Sequence, residues 1–206
     1  MARVSQEHLD ARRRQILDGA ARCFARSGFH GTSMQDVLKE VGLSAGAVYR
    51  YFTGKDDLIA AIAEGAFANI RSAFAKAART TPPPTPDVLL SGVLGGLFEG
   101  AVHGLERRTV ASLIVQVWSE TLRDERLAAL LEQGYTDMRI VWAEVVAAYR
   151  DAGILPPGVP DDHVARTMVA TAQGFILQEA LFGDVRPEVV EDGLRGLMSM
   201  QTREAG

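Results

Sequence analysis

The chain has a single cysteine, Cys23, in 206 residues, which excludes an internal disulfide framework and a cysteine-rich zinc site. Aromatic residues are scarce at 7%, and no segment shows the β-branched alternation of a strand. No run of 18 uncharged apolar residues occurs. The longest candidate, Val88 to Phe98, is closed by Glu99, so no membrane span is expected. Arg12, Arg13 and Arg14 lack the apolar stretch that follows the basic start of a secretory signal, so the expected compartment is the cytoplasm. The four histidines, His8, His30, His103 and His163, form neither a His-x-x-x-His nor a Glu-x-x-His pair. A helix-borne metal site therefore lacks support, and no metal or cofactor is expected. Gly54-Lys55-Asp56 fails as the end of a phosphate loop, because Tyr49 stands where the first glycine belongs and Asp56 replaces Ser or Thr. An enzyme is not expected.

What the chain does have is 47% apolar residues, enough for a sizeable core. Its charge is unevenly spread. Residues 1–55 carry nine basic and five acidic side chains, while residues 56–206 carry thirteen and twenty-one, for a net charge of −4. A basic head on an acidic body suggests that the head alone meets a polyanion. Clustering of arginines on a solvated helix would give the same count.

The apolar spacing is helical throughout, and about nine helices make an all-α protein. Ile16, Leu17, Ala20, Cys23 and Phe24 share one face of a helix that Gly28 stops. Ser33 followed by Asp36 opens a second helix, broken by Gly42, and Ser44 caps a third that runs to Phe52. Thr53 with Asp56 reads as the capping box of a long helix ending at Thr80-Thr81-Pro82-Pro83-Pro84, the clearest linker. Thr85-Pro86-Asp87 then starts a second half with helices at about 86–104, 107–121, 124–152, 161–182 and 187–200.

Residues 33–52 hold two short helices joined through Gly42-Leu43-Ser44, the pattern of a helix-turn-helix. Its second helix starts on small residues, Ser44-Ala45-Gly46-Ala47, which leave that end free to approach another surface. Tyr49, Arg50 and Tyr51 follow with donors suited to phosphate oxygens. Lys55 sits at a helix start, where a cation opposes the dipole by a few tenths of a kcal/mol, and a nearby phosphate would offset that.

Thr32-Ser33-Met34-Gln35-Asp36-Val37, Val41 to Phe52 and Gly54-Lys55-Asp56-Asp57-Leu58 together resemble the DNA-binding domain of the TetR family of bacterial transcriptional regulators. The likeness extends upstream through Ile16 to Phe24 and Gly28-Phe29, about 50 residues in all. The resemblance implies a three-helix helix-turn-helix domain (1–53), a connecting helix (54–81) and a helical ligand-binding and dimerisation domain (85–206). It also implies a dimer that places two recognition helices on a palindromic double-stranded DNA operator, ~34–36 Å apart, and most such regulators are repressors released by a small molecule. Ser33, Gln35, Ser44, Ala45, Gly46 and Ala47 map onto the groove-facing edge, with Gln35 long enough to read a base. Tyr49, Arg50, Tyr51 and Lys55 map onto phosphate or mixed contacts, and Thr32 adds a hydroxyl. Tyr49 and Tyr51 equally fit amphipathic packing, and Arg50 a solvated position. Val48 and Phe52 read as core.

In the second half, the helix at 161–182 is apolar on two stripes: Val164, Met168, Ala172 and Phe175, then Ala165, Val169, Ile176 and Ala180. With the helix at 187–200 it forms the expected homodimer interface. Gly92, Gly96, Gly100 and Gly104 make a stripe without side chains despite roughly 1 kcal/mol of helix propensity lost at each. Close helix approach and an open cavity wall both account for it. Phe98, Trp118, Tyr135, Trp142 and Phe175 are candidate pocket walls, with His103, Gln116, Gln173 and Gln178 as polar handles. Few charges fall at interior positions, which favours an apolar or weakly polar effector. The rival to a DNA regulator is a helical protein–protein adaptor that keeps the helix-turn-helix without specific DNA binding.

Overall fold

The computed structural model describes residues 6–100 and 105–200, 80% helical overall, with nine helices and no strand among the described residues. They are α1 (Gln6–Gly31), α2 (Met34–Val41), α3 (Ala45–Tyr49), α4 (Lys55–Ala78), α5 (Pro86–Gly100), α6 (Arg107–Glu120), α7 (Glu125–Asp151), α8 (Asp161–Phe182) and α9 (Pro187–Met198).

Local chemistry sets the boundaries in the head. Gly28 bends α1 rather than ending it: its φ of 71° and ψ of 171° are reachable without strain only for glycine, and one further turn of helix follows. That turn swings Phe29 edge-on against Phe24, with centroids 4.8 Å apart. The break leaves carbonyls without helical partners, and the buried Thr32 hydroxyl donates to two of them, Gly28 O at 2.7 Å and Cys23 O at 3.2 Å. Ser33 and Asp36 make the expected capping box on α2. Gly42, at φ 65°, closes α2 in the left-handed region and donates its N–H to Leu38 O. At the start of α4 the acceptor is Asp57, one residue beyond the Asp56 that the spacing suggested: its Oδ2 takes both the Thr53 N–H and the Thr53 hydroxyl. Gly54 is the N-cap without a side-chain bond, so the helix begins at Lys55.

Helices α4 and α7 run parallel in register. Arg126 meets Asp57 at 2.9 Å, Phe67 lies against Gly134 and the Tyr135 ring, and Phe74 packs on Trp142 with centroids 4.1 Å apart. A Cβ at Gly134 would stand 2.7 Å from the Phe67 ring, so glycine is what permits this approach. Helix α6 packs on α8, and α5 on α9. Lys55–Ala77 is long and apolar enough to cross a membrane, with mean hydropathy 1.3; here it packs against α7, α5, α1 and α6.

One buried cluster joins head and body. Ile16, Phe24, Val37, Val48 and Phe52 share it with Leu113, Val117, Leu127 and Leu131 of α6 and α7. Burying a side chain such as Phe24 contributes about 1.5–3 kcal/mol, so α6 and α7 help to hold the head together. Two polar contacts lie at the edge of the same junction, His30 Nε2 with the Glu120 carboxylate at 3.0 Å and the ion pair of Arg126 with Asp57.

Candidate nucleic-acid interface and core cavity

The helix-turn-helix presents a bare surface. Ser33, Gln35, Ser44, Ala45, Gly46, Tyr49 and Arg50 are exposed, Ala47 is half-buried, and a Cβ added at Gly46 would meet nothing within 4 Å. Ser44 accepts the Ala47 N–H at 3.4 Å and so sets the start of α3. Val48 and Phe52 are buried beneath it, and Tyr51 leans into the same core. The surface is small, polar and unobstructed, with Gln35 and Tyr49 as its longest uncharged side chains.

The cations of the head divide into two groups. Glu40 accepts from Arg22 at 2.7 Å and Arg26 at 2.6 Å, and those bonds hold its carboxyl below the usual range. Arg12 donates to Gln15, and Arg13 lies over the Phe52 ring at 5.4 Å. Lys55 donates to the Phe29 carbonyl at 2.7 Å, so the compensation sought from a phosphate is already met at the end of α1. Arg14, Lys39 and Arg50 make no such contacts among the described residues. Thr32 is 3% exposed and its hydroxyl is committed to the α1 break, which places it beneath the surface rather than on it. The sequence had no signal for either internal use, because each depends on a carbonyl freed by the bend at Gly28.

Below the head, a cavity of about 630 Å³ runs beside α4 between α5, α6, α7 and α8. Its wall is mainly apolar: Ile62, Phe67, Leu97, Ile114, Met138 and Val169 are representative. Charged wall residues are Arg13, Arg14, Asp18 and Glu64, all exposed or half-exposed, where the space opens between α1 and α4. Of the residues singled out in the sequence, Trp118, Tyr135, Trp142 and Gln173 line it. Phe98 and Phe175 do not. They pack on each other at 6.1 Å, and Arg107 sits over Phe98. Gln116 faces the head beside Gly28, Gln178 points to solvent, and His103 lies outside the described residues. Gly92 and Gly96 are exposed and a Cβ at either would meet nothing, so neither a tight intrachain contact nor a cavity wall explains them. Among the described residues no cluster of three or more His, Cys, Asp or Glu is placed to hold a metal.

Comparison with known proteins agrees with this geometry. Residues 16–62 match the profile of bacterial regulatory proteins of the tetR family, and residues 90–199 match the C-terminal region of BetI-type transcriptional repressors. The uncharacterized HTH-type transcriptional regulator YfiR of Bacillus subtilis is 29% identical over 88% of this chain and 86% of its own. The HTH-type transcriptional repressor Rv1474c of Mycobacterium tuberculosis is 48% identical over 63 residues, 31% of this chain and 34% of its own. Among solved structures, Salmonella enterica GusR superposes with a TM-score of 0.74 at 22% identity, covering 97% of this chain and all of that one. With a matching profile at each end of the fold and an open helix-turn-helix surface between capped helices, the chain belongs to the TetR family of bacterial transcriptional regulators and is a DNA-binding regulator.

Proposed function

We propose that the protein is a dimeric repressor that binds a palindromic operator and leaves it when a small, neutral, largely apolar molecule occupies the core cavity. The observation that carries the DNA half is the unobstructed α2–α3 surface, with Arg50 uncommitted beside Tyr49 while most other described cations of the head are spent inside the chain. Ser33, Gln35, Ser44, Ala45, Gly46 and Ala47 approach the major groove, and Tyr49 and Arg50 flank it for phosphates. Lys55 keeps two of its three N–H groups for the same use. With so few long side chains at the groove, much of the selectivity comes from DNA shape.

Selection of bound sequences from a random duplex pool at two salt concentrations tests this half. A palindrome with a steep salt slope is the expected result, and Arg50→Ala should weaken binding and reduce the slope by about one. Weak, sequence-independent binding would favour the adaptor instead.

The dimer half rests on α9, in which no residue is buried. Val190 and Leu194 face the body, but Val189, Leu197 and Met198 are more than half exposed, as are Leu181 and Phe182 at the end of α8. The two stripes read from the sequence are used within the chain, with Ala165, Met168, Phe175 and Ile176 buried. The outward apolar face is a different one. A short helix without buried residues gains too little to hold itself, and a second copy would cover it. Phe182→Glu is expected to give monomers in sedimentation at micromolar concentration; an unchanged dimer would move the interface elsewhere.

A further inference from the structure

The inner cavity wall carries one polar cluster, and we infer that it selects a neutral ligand bearing a hydroxyl group on an apolar frame. This rests on the cavity being the effector site. Gln173 of α8 donates from Nε2 to the Tyr135 hydroxyl of α7 at 2.7 Å, and both residues line the cavity and are half-buried. Gln173 thus takes one lone pair of the phenol oxygen, and the phenol keeps its own O–H to donate. Burial pushes the phenol up from its ordinary value, which keeps its proton in place at neutral pH.

Two capacities are left over. The Tyr135 proton has no acceptor, and the Gln173 carbonyl oxygen has no donor, among the described residues. An O–H donor beside a C=O acceptor is the complement of a hydroxyl, which accepts from the first and donates to the second. An ether satisfies the phenol alone and leaves the amide oxygen unpaired. A carboxylate meets that oxygen as a second acceptor, with the cavity's charged residues confined to the opening near Arg13 and Arg14.

Calorimetric titration of the full chain with 1-octanol, octyl methyl ether and octanoate tests the inference. Octanol is expected to bind at least ~10-fold more tightly than either of the others. In Gln173→Leu that preference should fall to about 2-fold, with ether affinity retained as the sign of an intact cavity, while Tyr135→Phe should weaken octanol and ether alike. Equal binding of octanol and ether, tightest binding of octanoate, or a preference that survives Gln173→Leu would each overturn it. Binding of none of the three would overturn the effector reading of the cavity and this inference with it, while leaving the DNA reading untouched.

Discussion

Gly19→Ala is expected to lower the melting temperature and to weaken operator binding by ~10-fold or more, although residue 19 is buried and touches no DNA. A Cβ there would stand 2.3 Å from Cγ1 of Val41, where ordinary contact begins near 3.4 Å. Val41 is 7% exposed at the end of α2, so it has little room to rotate away. Helix α2 must then retreat by about 1.1 Å, the difference between those two distances. Overpacking of this kind costs about 1–3 kcal/mol, and a chain of this size loses roughly 2–4 °C for each. The retreat also carries Ser33, Gln35 and the turn into α3 out of place. Adding Val41→Ala removes the obstructing methyl group, so the double variant should recover operator affinity relative to Gly19→Ala. Unchanged melting and affinity in the single variant would show that α1 and α2 separate freely.

Trp142→Ala has the largest expected effect on stability, about 3–5 kcal/mol. The ring is 1% exposed, packs on Phe74 and forms part of the cavity wall, so truncation joins a new void to an existing one. That void is apolar and shaped by an indole. Millimolar indole should therefore raise the melting temperature of the variant by more than that of the parent. Trp142→Phe should be much milder. It keeps most of the packing and removes an indole N–H that has no partner among the described residues. A variant whose stability falls by less than about 1 kcal/mol on Trp142→Ala would mean that the surrounding helices collapse into the space.

Much of this architecture is written locally. Ser33 with Asp36, Gly42 and Ser44 mark boundaries that hold in the fold, because each acts within one turn of chain. The fold departs from this local reading where a remote residue takes part. Asp57 rather than Asp56 serves Thr53, and its other oxygen is occupied by Arg126 from 69 residues away. Lys55 finds the Phe29 carbonyl only because Gly28 turns the chain. The cavity is harder still, since it is a space that side chains fail to fill. Composition offered Phe98 and Phe175 as walls, and packing pairs them with each other instead. Which face of α8 is left outside depends on how α6 and α7 take the other two, and no periodicity within α8 records that.

The shared cluster at the junction has a thermodynamic consequence. Leu113, Val117 and Leu131 are cavity walls and at the same time members of the core that contains Ile16, Phe24 and Val48. The α3 helix and the cavity therefore share one core and are expected to melt as one cooperative unit. A molecule that fills the cavity would stabilise that whole unit by mass action, and under the proposed repressor mechanism it would at the same time shift the head away from the spacing that DNA requires. Heat resistance and operator affinity would then move in opposite directions under the same compound, so a compound that raises the melting temperature is expected to lower operator affinity.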